Sequence, residues 1–206
     1  EEREQQNRNL STAITELAND VLPELRRARL AINYRVVGRT DDEIREQYMN
    51  DPSKLSIEEV LYAATLTQNP DERKAIFEKA VRLYPNDKRA HNGLAQIAYA
   101  KGDMETAKSE LAQAAELPEA NANAALIAVR EHHLDQAESL LGKALTASNY
   151  NEVLGNLQVA RGNFVQAAQT LKGVNTNTAA LAQILTKDYV SARPTLMAVP
   201  HRDAMP

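Results

Sequence analysis

The chain of 206 residues contains no cysteine and no tryptophan. Disulfides, thiolate nucleophiles and cysteine-based metal sites are thereby excluded, while the redox compartment stays open. Aromatic residues are scarce, seven tyrosines and two phenylalanines, so a core has to be assembled from aliphatic side chains. No apolar run approaches the roughly 20 residues that a helix needs to cross a bilayer. There is no basic run, and a formal charge of −4 gives no reason to expect nucleic acid as a partner. GxSxG, Walker and other Gly-rich phosphate-cradling sequences are missing, and nothing else points to catalysis or to a cofactor. What is present is an alanine- and leucine-rich composition, 43% apolar and 25% charged, which favours helix and a folded globular state. The chain starts at Glu1 without Met or a signal-like apolar stretch, and its tail AVPHRDAMP follows a helix pattern directly. Either a targeting segment has been removed or the chain is a fragment, and the fragment is the favoured reading.

The most regular stretch is Asn86 to Pro118. Two short helical patterns, one with Leu94, Ala95, Ile97 and Ala98 and one with Met104, Ala107, Leu111 and Ala114, flank the turn Lys101-Gly102-Asp103. Asp103 stands where a helix N-cap is wanted, directly after a glycine able to end the previous helix. The unit resembles a tetratricopeptide repeat, and related units run through the chain. From Lys54 to Lys88 the period is 34 residues, the expected length, although Arg73 occupies a position where a small residue is usual. After Asn86 the period shortens: His133 to Ala137 aligns with Asp103 to Ala107, and Gly162-Asn163-Phe164 with Ala167 and Leu171 follows. A weaker copy has Asp188-Tyr189, Ala192 and Leu196, with Pro194 expected to kink its helix.

These patterns predict a mainly all-α fold, a right-handed α-α superhelix of about five helix pairs from Lys54 to Val199, its concave face lined by the first helix of each pair. Residues 51–206 form this repeat domain. Residues 1–50 are a separate helix-strand-helix segment: Leu10, Ile14, Leu17 and Val21 recur at helical spacing, and Leu30, Ile32, Tyr34 and Val36 alternate as in a strand. That isolated β-strand, near residues 29–37, has no partner strand in the chain. It belongs to a sheet upstream of Glu1, or its neighbours force it into helix. Thr40 with Glu43 and Ser56 with Glu59 read as capping boxes, and Asn69-Pro70 as a capped helix start.

The strings LPELRRARLAINYRVVGRTDDEI (Leu22 to Ile44) and DPSKLSIEEVLYAATL (Asp51 to Leu66), followed by the repeats, resemble the C-terminal portion of OmpA-family outer-membrane-associated proteins of Bacteroides-type bacteria. In those proteins an OmpA-like domain precedes a TPR-like helical region. The resemblance implies that Arg27 to Val37 is the last strand of such a domain. It also implies a periplasmic or outer-membrane-associated location and a scaffolding role. The residues that bind peptidoglycan in that family have no counterpart here.

His132-His133 with Glu131 and Asp135 is the one cluster that invites a metal search. Adjacent helical residues diverge by about 100°, and the alignment makes the cluster a polar turn with His133 at a cap position, so no metal site is assigned. The paired acids Asp41-Asp42 and Glu58-Glu59 sit at helix starts, where they complement the dipole. Function therefore falls to the exposed positions of the first helices: Glu58, Tyr62 and Thr65, then Arg89, Asn92, Gln96 and Tyr99, then Glu152 and Asn156. Tyr62, Arg89, Asn92, Gln96, Tyr99 and Asn156 are the candidate partner-binding residues, their amides suited to a peptide backbone and Arg89 to a carboxylate. A protein or peptide partner of the envelope is expected; the alternative is a spacer or oligomerisation arm without a peptide ligand.

Overall fold

A computed structural model describes residues 38–199 together with Ser11, Ile14 and Thr15. The chain divides into two compact units at Gly38–Arg39. In the first, Ser11, Ile14 and Thr15 are helical, and the Thr15 hydroxyl donates to the Ser11 carbonyl at 2.8 Å. The strand expected near residues 29–37 lies outside the described residues.

Among the described residues of the second unit there are eleven α-helices, one 3-10 turn (Pro52–Lys54) and no strand. The helices are α1 (Asp41–Asn50), α2 (Ile57–Ala63), α3 (Pro70–Leu83), α4 (Arg89–Ala100), α5 (Met104–Gln113) and α6 (Pro118–Arg130). They continue as α7 (Leu134–Leu141), α8 (Tyr150–Ala160), α9 (Phe164–Thr170), α10 (Asn177–Leu185) and α11 (Tyr189–Ala198). From α2 onward they pack as five consecutive pairs, and each first helix also packs on the first helix of a neighbouring pair from α4 to α10. This is the α-α solenoid that the repeat patterns predict. The helix α1 packs on α2, placing Ile44 and Tyr48 in the first core cluster.

Helix starts follow the chemistry of the sequence. Thr40 and Ser56 both form complete capping boxes with Glu43 and Glu59, and the Asn69 side chain accepts from Asp71 N–H ahead of Pro70. The ends are more informative. In α4, Gly102 N–H donates to the Tyr99 carbonyl at 3.0 Å and Asp103 N–H to Ala98 at 2.9 Å. That pair of bonds is a Schellman motif, which requires a left-handed residue at its centre. The same two bonds recur at Glu131-His132-His133, Arg161-Gly162-Asn163 and Thr186-Lys187-Asp188. Gly102 and Gly162 adopt φ of +81° and +80°, but His132 and Lys187 are held at +61° and +65° without being glycine. The two histidines are therefore a strained turn residue and the N-cap of α7, where the His133 side chain makes no capping bond.

The first pair ends α2 differently. No glycine follows Ala63. Instead Arg73 reaches back from α3, donating Nε to the Ala64 carbonyl at 3.2 Å and Nη2 to the Thr67 carbonyl at 2.9 Å. The residue that departs from the repeat pattern thus replaces a missing glycine turn. The Tyr84 hydroxyl donates to the Leu55 carbonyl, closing the pair on itself.

The cores have a common composition. One cluster joins Val60 and Ala63 of α2, Ile76 and Ala80 of α3, and Ala90 of α4. The next joins Ala95 and Ala98 of α4, Ala107 and Leu111 of α5, and Ala120 and Ile127 of α6. The third joins Ala125 and Ala128 of α6, Ala137 and Leu141 of α7, and Val153 and Leu157 of α8. Each core is a pair plus the first helix of the next pair. Alanine at the crossings lets the helices approach closely. Gly155 serves the same end, since a methyl there would lie 2.4 Å from Leu171 Cγ.

The strain at His132 is measurable. A left-handed L residue costs roughly 1–2 kcal/mol, part of which glycine returns to the unfolded state as chain entropy. His132→Gly is expected to stabilise the protein by about 0.5–1 kcal/mol and to raise its thermal midpoint by roughly 2 °C. An unchanged or lower midpoint would show that the turn at His132 is not strained.

Candidate functional site

The exposed face of the first helices carries a series of side-chain contacts, one or more at each joint. Between α2 and α4, Arg89 grips Glu58 with both prongs, Nη1–Oε2 at 3.0 Å and Nη2–Oε1 at 2.8 Å. Its Nε also donates to Asp87 at 3.0 Å. Between α4 and α6, Asn123 Nδ2 donates to Asn92 Oδ1 at 2.9 Å. The Arg130 guanidinium lies over the Tyr99 ring at 5.6 Å, a cation–π contact. Between α6 and α8, Asn149, the residue before α8, donates Nδ2 to Asn123 Oδ1 at 3.1 Å. Between α8 and α10, the Thr178 hydroxyl donates to Asn156 Oδ1 at 2.6 Å.

The candidate residues fall into two groups on this face. Arg89, Asn92, Tyr99 and Asn156 spend polar groups on a neighbouring first helix, and Tyr62 donates its hydroxyl to Asp41 Oδ1 of α1 at 3.0 Å. The exception is Gln96, which is exposed and whose side chain makes no hydrogen bond among the described residues. It borders a cleft of about 560 Å³ between the first two pairs, whose wall includes Ala64, Thr65, Gln68, Phe77 and Gly93. A smaller hollow of about 90 Å³ on its other side is lined by Tyr99, Asn123 and Leu126. Phe77 packs so closely over Gly93 that any β-carbon there would lie 2.6 Å from its ring. The cleft thus brings apolar groups of Ala64, Phe77, Gly93 and Ile97 together with the Gln68 and Gln96 amides and the Arg73 and Lys101 side chains, a combination suited to an extended peptide backbone.

Sequence reasoning missed Asn123, Arg130, Asn149 and Thr178. The signal was available for two of them, because Asn123 and Arg130 lie 31 residues after Asn92 and Tyr99. The third pair simply has to be read at the same positions as the second.

Electrostatically the joints are a set of matched pairs. Hydrogen bonds from Arg89 hold the Glu58 and Asp87 carboxyls below the usual carboxylate range, and the same bonds push the guanidinium up. Lys108 lowers Glu131 in the same way, and Arg161 lowers Glu138. Arg89 is therefore neutralised by its own chain, so a partner carboxylate would have to displace two internal ones. No group of three or more His, Asp or Glu side chains gathers to hold a metal among the described residues, and no described helix is long and apolar enough to cross a membrane.

These carboxyls are lowered in the folded state from ordinary values of 4.5 for Glu and 3.8 for Asp. Their contribution is present above the unfolded values and is lost as pH falls through the folded ones. Thermal melting is expected to be level from pH 7 to about 5.5 and to drop steadily below about pH 4.5. A midpoint that stays level down to pH 3 would show that the pairs contribute nothing.

Comparison with known proteins supports the repeat reading. Residues 88–121 match the tetratricopeptide repeat family. The fold resembles the crystal structure of a tetratricopeptide repeat protein from Parabacteroides merdae, with a TM-score of 0.55 at 13% identity, covering 81% of this chain and 73% of that one. A search of curated proteins gave no significant match. The described residues of the second unit thus have the fold of a TPR-like helical repeat.

Proposed function

We propose that the chain is a non-catalytic protein-interaction module that takes an extended peptide in the cleft beside Gln96. Tetratricopeptide repeats in general mediate protein–protein interaction, and residues 88–121 match that family. The observation that carries the reading is Gln96 itself. Alone among the six candidate residues, its side chain makes no hydrogen bond to a described residue, and it lines a cleft that it shares with Phe77, Gly93 and Gln68. The strings Leu22 to Ile44 and Asp51 to Leu66 support a place in the periplasm or at the outer membrane, as part of an OmpA-family protein of a Bacteroides-type bacterium.

The second reading is a spacer without a peptide ligand, and one observation favours it. The polar groups of Arg89, Asn92 and Asn156 are taken up by the solenoid's own joints. A random peptide library displayed on phage separates the two. If the cleft binds, selected peptides should lose at least fivefold in affinity for a Gln68→Ala, Gln96→Ala variant whose melting is unchanged. Both side chains are exposed, so folding is not at issue. Peptides bound equally by the variant would sink the cleft assignment, and a selection that yields none would favour the spacer.

A further inference from the structure

The cleft beside Gln96 is cationic in an acidic chain. Among the described residues its wall includes Arg73 and Lys101 and no carboxylate, whereas the chain as a whole carries a formal charge of −4. Lys101 has a counter-ion, since its Nζ donates to Asp71 Oδ1 at 2.6 Å. Arg73 has none among the described residues. Its Nε and Nη2 are spent on the Ala64 and Thr67 carbonyls, and its Nη1 makes no hydrogen bond to a described residue. Arg82, Arg130 and Arg193 also lack a carboxylate partner there, but all three are exposed, while Arg73 is half-buried. A guanidinium drawn out of water is ordinarily matched by a full negative charge. The carbonyl end of α2 supplies about half of one, which leaves the cleft net positive.

We propose that the cleft selects a peptide carrying an acidic side chain, and that Arg73 receives it. The inference rests on the cleft taking an extended peptide and names what that peptide must carry. The Gln68 and Gln96 amides hold a backbone that runs on to either side of them, so the anion is an Asp or Glu side chain within the segment rather than a chain end. The unused Nη1 of Arg73 donates to the carboxylate. Lys101, whose partner Asp71 is 81% exposed, adds positive charge from the same wall. Arg89 differs, because two carboxylates of its own chain already occupy it. Long-range attraction works the other way, since an acidic chain draws basic peptides. A preference for acid therefore has to originate in the cleft.

The test offers the immobilised full chain three pools of short synthetic peptides, blocked at both ends and alike except for Glu, Gln or Lys at the centre. Captured peptide is counted by mass spectrometry. The Glu pool should be captured about fivefold or more over the Gln pool, the Lys pool should fall below both, and salt at about 0.5 M should narrow the difference. Arg73→Gln, which keeps a donor for the end of α2, should cut the Glu-over-Gln ratio at least twofold, with melting followed as the control for folding. Lys101→Gln removes the second charge without touching that end and should lower the ratio as well. Equal capture of the Glu and Gln pools, still lost in the Gln68→Ala, Gln96→Ala variant, would overturn the acid preference and leave the peptide cleft standing. A preference that survives both charge substitutions would overturn the assignment to Arg73, and no capture from any pool would overturn the cleft itself.

Discussion

No helix pair in this solenoid encloses its own core; burial is complete only when the first helix of the next pair closes over it. Leu111, Leu141 and Leu171 are each enclosed in this way, whereas Leu196, which has no following helix among the described residues, is left 46% exposed. The dependence of each pair on its neighbour sets the demands on the rest of the chain. Side chains at the crossings must be small, hence the run of buried alanines and Gly155. The turn within each pair must be short and fixed in direction, hence four Schellman ends of identical bonding. Nearest-neighbour stability of this kind is what repeat arrays show in general.

The turn geometry is held more strictly than the residue that makes it. His132 and Lys187 adopt the conformation of Gly102 and Gly162 at some cost, because abandoning it would misdirect a whole second helix. Arg73 shows a different solution, in which a side chain from α3 takes up carbonyls near the end of α2. The first-helix face carries the polar counterpart of the core. Its Asn, Arg and Tyr side chains bridge successive helices, so residue types that suggest a recognition surface here also hold the array together.

Much of the architecture was legible in the sequence. Thr40, Ser56, Asn69 and Asp103 announce helix starts through local rules, and the spacing of Ala107, Ala137 and Ala167 reveals the repeats even at a shortened period. The partner of each side chain was not legible, since it depends on how adjacent units lie against one another. Arg89 reads as an available cation until Glu58, 31 residues earlier, is seen beneath it. Asn92 reads as an amide for a ligand until Asn123 is found bonded to it. Gln96 differs because its counterpart on α6, 31 residues on, is the buried Ile127, which offers no polar group.

The contact between Asn92 and Asn123 is where structural and recognition roles are most directly separated. A double-mutant cycle of Asn92→Ala and Asn123→Ala, read by denaturant unfolding, isolates their interaction from the bonds that each makes elsewhere. A favourable coupling of about 0.5–1.5 kcal/mol is expected if first-helix side chains hold successive pairs together. A coupling of zero would contradict that role and leave the Asn92 amide available to a ligand.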